Sequence, residues 1–206
     1  MSVLSKDGFT EVPAGHVAAV ATFLDMRAPV APRPVAAISG VALCHVAQPD
    51  PDAYRDLFRR VGSNWLWCSR LRLKDAALMT ILGDPAVELY QPEQGGEPAG
   101  LLELDFRRAG ACNITFFGLV PELVGQGVGR WMMTQALNMA WRNGVSRVTI
   151  NTCTLDHPGA LSFYLRSGFR PYARMVEVFP DPRLHGLLPR EAAPHHPIIP
   201  DEATPA

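Results

Sequence analysis

The stretch Leu119-Val-Pro-Glu-Leu-Val-Gly-Gln-Gly-Val-Gly-Arg130 holds the residues with the plainest chemical potential. An apolar strand pattern runs into a turn with glycines at 125, 127 and 129, and a long apolar helix pattern opens behind it. The first N–H groups of a helix have no partner inside it, and the positive end of the helix dipole stands behind them. Such a turn is an anion cradle, suited to a pyrophosphate. Glycine lets a phosphate approach the backbone that a side chain would shield. Two nucleotide readings fail on spacing. A P-loop ends in Gly-Lys-Ser/Thr, whereas Gly129 is followed by Arg130-Trp131. The dinucleotide fingerprint is GxGxxG with an acidic residue about 20 positions on; here the spacing is GxGxG, and Thr149 stands at that distance.

The elements that position this turn are legible as patterns. Val41–Val46 predicts a strand. Asp50-Pro51 predicts an N-cap with proline in the first turn, and Tyr54, Leu57, Phe58 and Val61 then mark one helix face up to Gly62. Asp75–Leu82 predicts a second helix. Ala86–Tyr90, Leu101–Arg107 and Cys112–Val120 predict strands joined by turns at Gly95-Gly96 and Ala109-Gly110. In the second, Leu102, Leu104 and Phe106 alternate with Glu103, Asp105 and Arg107, which predicts a solvated polar face. After the glycine turn come a helix ended by Asn143-Gly144, a strand over Val145–Ile150, a helix over Pro158–Arg166 and a strand over Phe169–Val178. Hairpins followed by β-α-β-α-β give a mixed α+β fold. His16–Met26, with Val17, Val20, Phe23 and Leu24 at helical spacing, predicts a short amphipathic helix. Proline clusters at 29–34 and from Pro180 onward predict irregular arms. The expected organisation is an arm over 1–35, a body over 36–180 and a tail over 181–206.

Composition narrows the function classes. Of the 206 residues, 48% are hydrophobic and 19% charged, with a formal charge of −1, so the chain reads as a globular protein. It has no Lys/Arg run of the kind that nucleic-acid binding or a polybasic membrane anchor requires. No apolar run reaches the ~18 residues of a spanning helix, and the first residues lack a signal-peptide core, so the expected location is the cytoplasm. Cys44, Cys68, Cys112 and Cys153 are too far apart for a CxxC pair, and the six histidines form no HExxH, so no metal site is expected.

The turn Val124-Gly125-Gln126-Gly127-Val128-Gly129 resembles the Gln/Arg-x-x-Gly-x-Gly/Ala signature of the GNAT superfamily of N-acetyltransferases, with Val124 at the position of Gln or Arg. A later piece, His157-Pro158-Gly159-Ala160-Leu161-Ser162-Phe163-Tyr164-Leu165-Arg166-Ser167-Gly168-Phe169, is similar to that family's Asn-x-x-Ala-x-x-x-Tyr-x-x-x-Gly-Phe helix, with His157 in place of Asn. The two occur in the family's order, and the resemblance covers roughly residues 41–178.

The resemblance implies a mostly antiparallel central sheet flanked by helices. It also implies two splayed parallel strands that hold acetyl-CoA, here Cys112–Leu119 and Val145–Ile150. The pantetheine arm would lie along Phe117–Leu119, with the Leu119 N–H on the thioester oxygen. The diphosphate would rest on the amides from Gly125 to Arg130, and His157 would lie beside the cofactor. Tyr164 matches the family's proton donor. A general base would take the amine's proton, and Glu103, then Asp105, are its expected sources, with Asn113 and Thr115 behind them. Two carboxylates on one face would also attract a cationic amine. A covalent route through Cys153 is the lesser alternative. The lip between the two early helices would receive the acceptor, with Trp65, Trp67 and Arg70 as contacts and Asn113 on the strand beside them. The expected activity is acetyl transfer to a primary amine of a small molecule or peptide by a protein that could form a homodimer. The alternatives are a non-catalytic acyl-CoA-binding or regulatory domain, or transfer of a longer acyl group.

Overall fold

The computed structural model describes residues 7–30, 35 and 37–201. Pro32, Pro34 and Pro205 lie outside them. Asp50 caps the first helix, α1 (Pro51–Gly62): its Oδ1 accepts from the N–H of Asp52 at 3.1 Å and of Ala53 at 2.8 Å. Tyr54, Leu57, Phe58 and Val61 are buried, as their spacing predicts. The second helix, α2 (Asp75–Leu82), follows after an irregular connection. Then come strands β3 (Val87–Gln94), a two-residue β4 (Glu97–Pro98), β5 (Gly100–Asp105) and β6 (Ala111–Leu119). A 3-10 turn over Pro121–Leu123 leads into α3 (Val128–Ala140), which is followed by β7 (Arg147–Cys153), α4 (Ala160–Arg166) and β8 (Arg170–Pro180). The earlier strands are β1 (His16–Met26) and β2 (Val41–His45).

The sheet order is β2-β3-β5-β6-β7-β1-β8, with β4 on β3. Every pairing is antiparallel except β6 with β7. The fold is therefore mixed α+β with one parallel pair at its centre, as expected. The core lies on both sheet faces, with Phe58, Leu78, Leu101, Leu104, Met132 and Phe169 almost fully enclosed.

The N-terminal segment departs from expectation. Residues 16–26 form a strand, not a helix, and that strand is inserted between β7 and β8. Val17, Val20, Thr22 and Phe23 suit a pleated surface. By alternation Val17 and Phe23 fall on one face of β1 and Val20 and Leu24 on the other, where Val20 is exposed, so apolar residues occupy both faces and their spacing imitates a helix. The N-terminal segment thus belongs to the sheet.

The tail also packs on the body. Residues 181–201 form turns without a helix or strand. Asp181 N–H donates to Gly15 O at 2.8 Å, and Gly15 N–H donates to Ile199 O at 2.7 Å. Arg183 and Asp181 form a buried ion pair at 2.7 Å. The same guanidinium donates to the carbonyls of Ala192, Ala193 and His196 at 3.0, 3.3 and 2.8 Å. Burial alone would raise the Asp181 carboxyl, but its bonds from Arg183 hold it below the usual range. A depressed carboxyl stabilises the fold above its unfolded pKa of ~3.9 and loses that contribution as pH falls through the folded value. Arg183→Met is expected to cost ~3–5 kcal/mol by stranding a buried carboxylate. The variant should also lose less stability than wild type between pH 5 and 3, measured by urea unfolding.

Candidate active site

β6 and β7 pair over only four positions, from Ala111 opposite Arg147 to Ile114 opposite Ile150. Both strands then continue without pairing to each other, β6 to Leu119 along β5 and β7 to Cys153 along β1. The parting has a local cause on the other side of β6. There Glu103 lies opposite Phe116 and Leu104 opposite Ile114, so Thr115 is an extra residue. Such a bulge bends its strand and increases the twist. It falls one residue after the last β6–β7 pair, and the strands diverge from that point.

The divergence opens a cleft of about 1270 Å³. Val120 N–H donates to Ala99 O at 3.0 Å on the β5 side. Alternation along an extended strand turns the Leu119 N–H to the opposite side, the edge that β7 has left. Phe117 and Leu119 line the cleft there. Gly118 faces the helix α1 side, where a Cβ would stand 2.4 Å from Val61 and 2.9 Å from Trp67, so only glycine lets the strand pass.

At one end of the cleft stands the glycine turn. Gly125, Gly127, Gly129, Val124 and Arg130 line it, while Val128 is buried beneath. Gly127 caps α3 at φ 84° with no side-chain cap bond, so the N–H groups of Val128 and Gly129 are left to an external acceptor, while the Arg130 N–H donates to Gly127 O at 3.1 Å. The Gln126 side chain turns back and donates to Glu122 O at 2.6 Å. The space before these amides is open, with the nearest atom to a Cβ on Gly127 at 3.8 Å. The open space and the unpaired amides are of the kind a diphosphate would need.

Tyr164, on α4, lines the cleft beside Phe117, with ring centroids 6.2 Å apart. Its hydroxyl has no hydrogen-bond partner among the described residues, and burial pushes its pKa well above the usual phenol value. It therefore keeps its proton at neutral pH. His157 lines the cleft, with its ring 5.3 Å from Trp65, which also lies 6.4 Å from the ring of His195 in the tail. Trp67 is tied down: its Nε1–H donates to Asp156 Oδ1 at 2.9 Å. Asp156 Oδ2 accepts from Thr152 Oγ1 and from the Cys153 N–H, both at 2.8 Å.

The two carboxylates expected to serve as base do not reach this cleft. Glu103 is 0% exposed, not on a solvated face. It accepts from Tyr54 Oη at 3.1 Å and pairs with Arg70 at 2.5 Å, and Arg70 in turn lies 5.1 Å from the Phe116 ring centroid. Burial would lower Arg70, yet Glu103 holds its pKa above the usual value. Arg70 is thus committed to Glu103 and does not line the cleft expected to hold the acceptor. The bulge and the overlying α1 cover the face that strict alternation exposes. Asp105 is bound to Arg107 at 2.6 Å and lies opposite Asn113. Asn113 accepts from Thr149 at 2.9 Å and donates to Thr115 at 3.0 Å. Leu119 lies six positions beyond Asn113, ~20 Å along the strand, so Asp105 and Asn113 stand at the wrong end. Glu103→Gln is expected to lower thermal stability, because it weakens a buried network, while the pH dependence of kcat/KM keeps its shape; a displaced limb would return Glu103 to proton transfer.

Some cleft residues carry little sequence signal. Asp156 reads as a turn residue before α4, and its role in holding Trp67 follows from tertiary contact. Arg72 and Glu177 line the far end. Glu177 is the one charge in Met175–Phe179, on the face of Met175 and Phe179, and this is the signal that marks it. Cys68 and Cys153 also line the cleft, and burial pushes both thiols up to about 11, so neither is a thiolate at neutral pH. Among the described residues no group of three His, Cys, Asp or Glu is placed to hold a metal ion. No helix there is long and apolar enough to cross a membrane.

Comparison with known proteins agrees with this geometry. The acetyltransferase (GNAT) family model matches residues 50–169. No curated protein matches the sequence. Among solved structures, a GCN5-related N-acetyltransferase from Sphaerobacter thermophilus superimposes with a TM-score of 0.60 at 16% identity, over 80% of this chain and 53% of that one. A GCN5-related N-acetyltransferase from Kribbella flavida gives 0.52 at 17% identity, over 84% and 63%. This chain therefore spans between half and two thirds of the length of those two proteins. An aminoglycoside acetyltransferase from an uncultured soil metagenomic sample gives 0.52 at 15% identity, over 62% and 87%. With the family model covering more than half of its residues, the chain belongs to the acetyltransferase (GNAT) family.

Proposed function

We propose that this protein moves an acetyl group from acetyl-CoA directly to a primary amine of a small molecule or peptide. The observation that carries the reading is the parting of β6 from β7 after Ile114 and Ile150, with the amides of α3 at one end and Tyr164 at its side. Acetyl-CoA supplies the activated acetyl group. The amides from Gly125 to Arg130 would hold its diphosphate, the open edge of Phe117–Leu119 its pantetheine, and His157 would flank it. The Leu119 N–H would donate to the carbonyl oxygen as that atom gains charge; one such donor is worth ~3 kcal/mol. Tyr164 would donate a hydrogen bond to the departing sulfur. Full proton transfer from the phenol is uphill, since a thiol titrates near ~8.5, so solvent would complete the protonation. The protonated thiols of Cys68 and Cys153 favour direct transfer over a covalent route.

Release of CoA thiol, followed with a panel of primary amines and matched to acetylated product by mass, tests the reading. Turnover of at least one amine supports it. Binding of acetyl-CoA without acetylation of any amine would leave an acyl-CoA-binding domain instead.

A further inference from the structure

The end of the cleft remote from α3 has a floor built by three strands. Ala21 lies opposite Cys153 on one side and Met175 on the other, Ala19 lies opposite Glu177, and Val17 opposite Phe179. Residues paired in this way share a face of the sheet. The two alanines are small and buried, so the floor is low beside Glu177. Cys68, Ser69 and Arg72, from the connection between α1 and α2, line the same cleft.

Two opposite charges, both solvent-exposed, line this part of the cleft without forming an ion pair. The Arg72 guanidinium lies 5.0 Å from the Phe179 ring centroid and donates to Pro180 O at 2.9 Å. Glu177 is two residues from Phe179 on the same face, ~6.7 Å along the strand. Arg72 and Glu177 form no ion pair with each other, and neither has another charged partner among the described residues. The guanidinium is engaged by the ring and the carbonyl. Both groups act on the nearby Cys68 thiol, Arg72 lowering its pKa and Glu177 raising it.

We propose that the acceptor carries a carboxylate beside its amine, as an α-amino acid does, with Arg72 receiving the carboxylate and Glu177 the ammonium. This rests on the acetyl-transfer reading and narrows it. A guanidinium suits a carboxylate because its paired N–H groups match the two oxygens. Glu177 first pairs with the ammonium and then takes its proton, directly or through one water. The freed nitrogen gives its lone pair to the acyl carbon, forming the C–N bond as the carbonyl π pair moves to oxygen, and the nitrogen then loses its second proton to water while the carbonyl re-forms. The C–S bond breaks with its electron pair on sulfur, which takes up a proton. Polycationic acceptors fit poorly. The cleft is lined by the arginines 72, 130 and 166 against the carboxylates of Asp156 and Glu177. Asp156 is already engaged by Trp67, Thr152 and the Cys153 amide.

The test compares kcat/KM for each of the common α-amino acids with that for its decarboxylated amine and its amide, using the full chain and acetyl-CoA. At least one amino acid should exceed its amine and its amide by ~10²-fold, the range of a charge-assisted pair. Arg72→Gln should raise KM for that amino acid and bring the ratio to within ~3-fold, whereas Arg72→Lys keeps part of the preference. Glu177→Gln should act mainly on kcat, by ~10²-fold. Calorimetric titration with CoA verifies that each variant is folded. If carboxylate-free amines are acetylated as well as amino acids, or if Arg72→Gln leaves the ratio intact, the inference falls while acetyl transfer stands. If no acceptor of any kind is acetylated, both fall.

Discussion

Tyr164→Phe is expected to lower kcat for acetyl transfer by ~10²-fold or more, the lower part of the range for general acid–base groups. The affinity for CoA should stay within about threefold. The reasoning is geometric. The ring is packed by Phe117, Phe163 and Phe169, and phenylalanine preserves that packing. The hydroxyl has no hydrogen bond to lose among the described residues, so the fold should not weaken. What disappears is one donor in a buried setting, needed only while charge gathers on the leaving sulfur. Steady-state kinetics with calorimetry separates the two quantities. An equal rise in the dissociation constant with kcat unchanged would make Tyr164 a packing residue.

The second large effect belongs to the glycine turn. Gly127→Val should weaken CoA binding by ~10²-fold, because hydrogen bonds to a charged acceptor are worth ~1.5–3 kcal/mol each and two would be disturbed. Gly127 sits at φ 84°, where a β-branched residue is strained, so the loop would rebuild and misplace the amides that open α3. The Cβ itself has room, with nothing closer than 3.8 Å. Thermal stability should therefore fall modestly while affinity falls steeply. Circular dichroism melting beside calorimetry reads both; a large loss of stability with normal affinity in the folded fraction would contradict the account.

These two sites are also where the sequence speaks most clearly. Glycine spacing states a backbone need directly, and Asp50-Pro51 does the same for the start of α1. The strand pattern of β5 was less informative. Alternation correctly separates Leu102 and Leu104 from Glu103, but it cannot show that α1 covers the other face and encloses Glu103 with Arg70 and Tyr54. Nor does it register the extra residue at Thr115, which depends on pairing with β5. The segment 16–26 misleads for a related reason. The open face of β1 carries the exposed Val20, so apolar residues occur on both faces and fall at helical intervals. Arg72, Asp156 and Glu177 escape a reading of motifs altogether. They come from three separate elements, and only the sheet order places them around one cleft. The tail is similar: its prolines correctly deny it regular structure but conceal the Arg183–Asp181 pair that fastens it.

The central claim is that the open edge of β6 and the amides of α3 together bind coenzyme A. Calorimetric titration of the protein with CoA, and in parallel with pantetheine, which lacks the diphosphate and nucleotide, tests it most directly. The account predicts saturable one-to-one binding of CoA and an affinity for pantetheine at least ~10²-fold weaker, since the glycine turn would have nothing to hold. Absence of binding heat with CoA across a range of temperatures, or equal affinity for the two molecules, would contradict it.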